Sequence, residues 1–292
     1  MNIVGQIVDR FHYLRELARP RTVFRYRVIN DYTVSELATQ SLYFSAYPDL
    51  NDPNEGTYEY EPTWNDRDAR LFIQAVRKRG AGAEGFRALF PDVEIDALAA
   101  AWESMSDEQV LTAIRDRVEK NLASPEIRTR INDALRDLDD MSIGVCCFSA
   151  AGRSPYMSWF YGAQHKGVCF EYSTAQYPFN RIMPVRYTSS IPKLITGRNF
   201  VLAKMLTKSV EWKGEKEWRI VQHLIKRGRF AKFDANALLS VHLGPKASHD
   251  DIKRIVDAIR QRQSATGHLP SVYQFRRAKS TFAFELKKID ID

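Results

Sequence analysis

Two glutamates two residues apart stand in Lys213-Gly214-Glu215-Lys216-Glu217-Trp218-Arg219. If a strand begins at 217, Glu215 and Glu217 project to the same face at its entrance. Two carboxylates on one side can work as an acid/base pair or supply half of a divalent-cation site. The same residues also allow a structural arrangement, with Trp218 in the core and Glu217 and Arg219 paired with charges on neighbouring strands. Leu50-Asn51-Asp52-Pro53-Asn54-Glu55-Gly56 builds an Asx-type turn with a left-handed exit at glycine. Asn51 and Asp52 can simply lock that loop. Asp52 or Glu55 can instead face a ligand, because loops at the rim of a rigid sheet commonly carry function. Met157 to Gly167 concentrates Trp159, Phe160 and Tyr161, rings that cover a core or stack on a base. His165 follows at a turn, where it is a bland surface residue or, beside carboxylates, a general base.

The elements that carry these residues can be read from periodicity. Residues 5–18 have helical spacing, and 21–29 reads as a strand. Residues 33–40 read as a helix with Thr33 as N-cap and Glu36 three residues on. A second strand at 41–45 leads into a loop at 48–56. Apolar stripes predict four amphipathic helices between 64 and 140. Strands are then expected at 142–149, 167–173, 182–188, 217–225, 238–244, 271–278 and 280–289. Helices are expected at 199–209 and at 248–263, the latter capped by Ser248 with Asp250 and Asp251 in its first turn. The expected architecture is α+β: one domain over 1–292, with a mixed or antiparallel β core (22–63 and 141–292) interrupted by an acidic helical insert at 64–140.

The chain has 292 residues, 44% apolar and 27% charged, an ordinary globular composition. It holds three cysteines. Two of them, Cys146 and Cys147, are adjacent, so no disulfide framework is expected and a reducing cytoplasm suits them; they point to opposite faces of a strand and cannot chelate one metal together. No secretory leader or apolar run long enough for a membrane span is evident. His-x-x-x-His, Cys-x-x-Cys and Gly-rich phosphate loops are missing, so no structural metal is expected. The net charge of +7 is uneven. Residues 61–140 hold 12 basic and 17 acidic side chains, and residues 181–292 hold 23 and 10. A basic half can attract phosphate on a nucleotide or a nucleic acid, or can be a solvated surface.

Several phrases, taken together, resemble a bacterial family. FRYR with LYFSAYPDLNDPNEG, then CCFS with MSWFYGAQHKGVCFEY, then VEWKGEKEWRIV look like the successive motifs of domain of unknown function 2971. The Glu-x-Glu at a strand entrance is also similar to that of mono-ADP-ribosyltransferases. That second resemblance implies a split sheet and NAD as substrate. It implies that Arg27, beside Tyr26 on the first strand, grips the pyrophosphate, and that Ser149 supports a middle strand. It further implies that Tyr161 or Trp159 stacks on nicotinamide, that Arg219 joins the binding set, and that Glu217 stabilises a cationic ribose while the heads of Arg27 and Glu217 share one cleft. The expected function is an ADP-ribosyltransferase-like toxin or phage-defence effector, acting in the cytoplasm on a protein or nucleic-acid acceptor. Two alternatives stand beside it. One is a metal-dependent phosphodiesterase or nuclease using Asp52, Glu55, Glu215 and Glu217 with His165. The other is a non-catalytic nucleotide or nucleic-acid binding module.

Overall fold

A computed structural model describes residues 19–61, 70, 73, 100–130, 133, 143–195 and 204–291. The expected N-terminal helix and most of the expected insert lie outside them. The chain divides into two compact units. The first joins Met1–Glu55, Ile143–Ser189 and Leu206–Asp292, and the second joins Gly56–Ser142 and Ser190–Met205. The second unit thus takes in 190–205 besides the stretch expected as an insert. Its described part includes the helix Asp107–Ala123, capped by Ser106 and Gln109 in a reciprocal box, and the parallel pair Glu59–Glu61 with Lys193–Ile195. No helix among the described residues is long and apolar enough to cross a membrane.

The first unit is built on one eight-stranded sheet. Its strands are β1 (Thr22–Arg27), β2 (Ile143–Ser149), β3 (Val168–Ser173), β4 (Met183–Pro184), β5 (Glu217–His223), β6 (Leu238–Leu243), β7 (Ser271–Arg277) and β8 (Phe284–Lys288). They lie in the order β8-β7-β6-β3-β1-β2-β5-β4. Only β6 and β7 run parallel; every other neighbouring pair is antiparallel. Mixed α+β architecture is therefore as the sequence suggests.

Two helices cover one face. In α1 (Asp31–Thr39) the cap is Asn30, whose side chain accepts from the Thr33 backbone N–H, so the expected Thr33 cap is displaced by three residues. In α3 (His249–Thr266), which follows the short helix α2 (Pro155–Phe160) in the chain, Ser248 caps as expected. Ile255, Ala258 and Ile259 are buried with Leu37, Val23, Phe148, Phe170, Tyr172, Trp218, Ile220, Val241 and Leu243 in one cluster. Full burial of each large apolar side chain contributes about 1.5–3 kcal/mol, so this cluster is the main stabilising body of the unit. The opposite face carries a smaller cluster of Tyr26, Met157, Cys169 and Phe275.

Several boundaries differ from expectation; the strand expected at 280–289, for one, begins only at Phe284. The helix expected at 199–209 ends early among the described residues: 204 and 205 are helical, but Thr207–Ser209 is a strand pairing parallel with Arg186–Thr188. The strand expected at 182–188 breaks in two, because Val185 turns its N–H to the Glu217 carbonyl. The strand expected at 217–225 stops at His223 and turns into a short helix, Leu224–Arg227.

Gly167 marks a close crossing. A Cβ there would lie 2.2 Å from the Arg27 carbonyl oxygen and 2.8 Å from the Gly162 Cα. Gly167→Ala is expected to lower stability by about 1–3 kcal/mol, read as a lower urea midpoint at unchanged slope.

Candidate active site at an opening in the sheet

β1 and β2 share a single register pair, Phe24 opposite Ser149. Beyond it β1 stays zipped to β3 through Arg27, while β2 stays zipped to β5 through Ile143. Ser45 takes up the pairing that β1 has left, exchanging backbone hydrogen bonds with Val145 at 3.0 and 2.9 Å. Between these segments opens a cavity of about 220 Å³. Its wall is made of Phe24 to Arg27 from β1, Val145 and Cys147 to Ser149 from β2, Asn51 and Glu55 from the loop, and Met157, Tyr161, Lys208, Glu215 and Glu217.

Strand alternation sorts these side chains. Ser149 pairs with both Phe24 and Glu217, so these three share one face. Arg25 and Arg27 project to the other. Arg27 and Glu217, expected to share one cleft, both line this cavity, but strand parity sends them off the sheet on opposite sides. Arg27 lies among Arg25, Glu36, Cys146 and Tyr172, and burial followed by Arg25 pulls its pKa down. Its Nε is buried without a hydrogen-bond partner among the described residues. Arg25 is held at 3.1 Å by Glu36.

The Glu217 side of the cavity is a buried ionic network. Lys208 Nζ stands 2.7 Å from Glu215 Oε2, 3.2 Å from Glu217 Oε2 and 3.7 Å from Glu55 Oε2. Arg219 donates from Nε to Glu217 Oε1 at 2.7 Å and from a terminal nitrogen to Glu217 Oε2 at 2.9 Å. It also donates to Glu55 and, at 3.3 Å, to the Tyr47 hydroxyl. Tyr161 donates to Glu215 and accepts from Asn51 at 2.9 Å. The Glu217 N–H donates to the Tyr187 hydroxyl at 2.7 Å. Ser149 Oγ donates to the Glu215 carbonyl at 2.6 Å and accepts from the Ala151 N–H, pinning the Glu-x-Glu turn to the end of β2.

Burial raises the Glu217 carboxyl above the usual carboxylate range, against the pull of Lys208. Burial would lower Lys208, but Glu217 and Glu215 outweigh it and raise the ammonium above an ordinary lysine. Burial and the Glu215 carboxylate raise the Tyr161 phenol. Tyr187 is pushed up to about 12, chiefly by burial. Cys147 is raised by burial and then by Glu217, so its thiol stays protonated.

Of the residues singled out from sequence, Tyr26, Arg27, Asn51, Glu55, Ser149, Tyr161, Glu215 and Glu217 all line the cavity. Tyr26 is committed to structure, donating to the Ala151 carbonyl at 2.7 Å and accepting from the Ser154 N–H. Asp52 is buried in its own turn, where Oδ1 accepts from the Asn54 N–H at 2.9 Å, and it is not part of the wall. Arg219 sits behind the wall and holds Glu217 and Glu55 from there. Trp159 and His165 lie elsewhere on the surface of the unit, ring against ring at 5.4 Å, with His165 Nδ1 3.1 Å from Ser158 Oγ. His165 is lowered by burial and Lys246, and no carboxylate of the network reaches it.

Sequence reasoning missed Lys208, Tyr47 and Tyr187. Lys208 falls in the stretch 199–209 expected as a helix; the signal available is a lysine seven residues before Glu215 in a segment, Thr207-Lys208-Ser209, with β-branched and capping character. No described protein family, curated protein or solved structure matches the chain.

Proposed function

We propose that the opening between β1 and β2 binds a nucleotide of the NAD class and that the chain cleaves its N-glycosidic bond, as an ADP-ribosyltransferase-like or NAD-hydrolysing enzyme. One observation carries this reading: charge is separated across a single cavity. Glu55, Glu215 and Glu217 outnumber Lys208 and Arg219, leaving one excess negative charge at one wall when all five are ionised. Arg27 supplies the opposite sign at the other wall. A dinucleotide presents the complementary pattern, an anionic pyrophosphate and a sugar that becomes cationic as its base departs.

The cavity is smaller than the roughly 300–1,000 Å³ that encloses a whole drug-sized ligand. It takes one nucleoside unit, with the remainder of the ligand running outward past Arg27. In this reading the bond between ribose C1′ and the nicotinamide nitrogen breaks, and the electron pair leaves with the base. Glu217, fixed in orientation by Arg219 and Lys208, faces the positive charge left on the ribose. Water or an acceptor nucleophile then bonds to C1′ and gives its proton to Glu215. Tyr161 and Asn51 orient Glu215 for that transfer.

A metal-assisted reaction would require Glu55, Glu215 and Glu217 to converge on a cation. They converge on the Lys208 ammonium instead.

Glu217→Gln tests the proposal. The amide keeps the shape and leaves two carboxylates against two cations, so the fold should persist. Nicotinamide release from NAD by the purified protein, followed by chromatography, is expected to fall by about 100-fold or more. Expression of the wild-type chain should arrest growth and that of the variant should not. NAD left intact by the wild-type protein, or cleaved equally by the variant, would overturn the reading.

A further inference from the structure

The short helix α2 (Pro155–Phe160) buries Met157 and Ser158 and turns its other side to solvent. There Tyr156, Trp159 and Phe160 are 37%, 46% and 59% exposed. Tyr156 and Phe160 pack together at 4.7 Å, and Trp159 leans on His165 at 5.4 Å. Three large rings on one solvent face, none serving the core, are costly to leave in water and read as a contact surface.

Exposed basic residues stand on the segments next to these rings. The Tyr156 ring lies against Gly214, where a Cβ would stand 3.6 Å from its Cε1, and Gly214 is flanked by the exposed Lys213 and by a turn ending at the exposed Lys216. Arg153 is exposed just before the helix, and Lys166 just after it. Lys246, also exposed, is tied in by its N–H to the His165 carbonyl at 3.0 Å. These segments hold five exposed cations, and the exposed carboxylates on or beside them are Glu211, Asp250 and Glu285. Met157, Tyr161 and Glu215, neighbours of these residues in sequence, line the cavity.

From this juxtaposition we infer that the Tyr156–Trp159–Phe160 face, with Lys213, Lys216, Lys166, Lys246 and Arg153 around it, docks single-stranded nucleic acid. Unpaired bases stack on exposed rings without regard to sequence, while the cations follow the phosphates; an acidic peptide would use the cations but has no flat bases for three rings. The docking goes beyond the chemistry proposed for the cavity and does not depend on it.

The test is fluorescence anisotropy of the full chain with a labelled twelve-nucleotide oligo(U) and oligo(dT) across a salt series. Binding is expected at low salt and should weaken log-linearly with salt. Trp159→Ala with Phe160→Ala removes solvent-facing rings, so the thermal midpoint should be near that of the wild type while affinity falls about tenfold or more. Lys213→Ala with Lys216→Ala should reduce the salt slope by about 1.4, the share of two phosphate contacts on a single strand. No binding at low salt would overturn the inference. So would binding that ignores loss of the rings, or a poly-glutamate peptide that binds as tightly as the oligonucleotide. Because the readout is binding without NAD, failure here leaves the proposed cavity chemistry standing, and the reverse also holds.

Discussion

Replacing Lys208 with Met is expected to destabilise the protein at neutral pH by about 3–5 kcal/mol, the cost of leaving buried carboxylates without their counter-charge. Lys208 is buried and lies within 3.7 Å of Glu55, Glu215 and Glu217. Its removal leaves three carboxylates facing the single guanidinium of Arg219. The pH dependence has a definite sign. Glu217 already sits above the ordinary carboxylate range because of burial, and loss of the ammonium raises it further. A carboxyl raised in the folded state binds protons better folded than unfolded, so its penalty is present above the raised pKa and fades as pH falls through it. The Lys208→Met deficit should therefore shrink between neutral and mildly acidic pH. In the wild type the raised ammonium works in the other direction: its stabilisation is present below the ordinary lysine pKa and is lost only as pH rises through the folded value. Urea unfolding of both proteins at several pH values checks this. A deficit under 1 kcal/mol, or one that grows in acid, would show that water and not Lys208 balances the three carboxylates.

The network also explains which parts of the site could be read from sequence. Apolar patterning marked β1, β2, β3, β5 and β6 to within two residues at either end, 142–149 as a nearly continuous run and 21–29 and 167–173 by alternation. Period two puts Glu217 and Arg219 on one face, but it does not place Glu215, which ends a 3-10 turn with Lys216 left-handed behind it, so the two glutamates meet through that turn and not by strand alternation. Of the structural arrangement considered from sequence, Trp218 does join the main cluster, but Glu217 and Arg219 pair with each other on one strand and with Lys208 and Glu55, not with charges on the strands beside them in the sheet. What periodicity could not supply was partners. Lys208 reaches Glu55 across more than 150 residues of chain, and Arg219 reaches Tyr47 across 172. Nor could it give the parity between strands. Arg27 and Glu217 each sit on a well-read strand, yet the register Phe24–Ser149–Glu217 puts the arginine on the other face. A shift of one residue in that pairing would have reversed the outcome, and no local pattern encodes it.

That parity makes the Arg25–Glu36 pair decisive for the β1 wall. Arg25 Nη1 and Glu36 Oε1 are 3.1 Å apart, both buried, with the Tyr172 hydroxyl 3.4 Å from the same oxygen and the guanidinium over Phe148 at 5.7 Å. Arg25→Met alone would strand the Glu36 carboxylate between β1 and α1, and Glu36→Leu alone would strand the guanidinium. Each is expected to cost about 3–5 kcal/mol, whereas the double variant, which replaces both charges with apolar volume, should lie within about 1–2 kcal/mol of the wild type. The cycle, measured by urea unfolding, would be refuted if the single costs simply added. The double variant then separates structure from ligand binding. With Arg25 neutralised by Glu36 in the wild type, Arg27 is the β1 cation left to face an anionic ligand. The double variant should therefore hold NAD as the wild type does, while Arg27→Ala in the same background should weaken it. Equal loss in both would move the anion contact to Arg25 and require the pair to open when ligand enters.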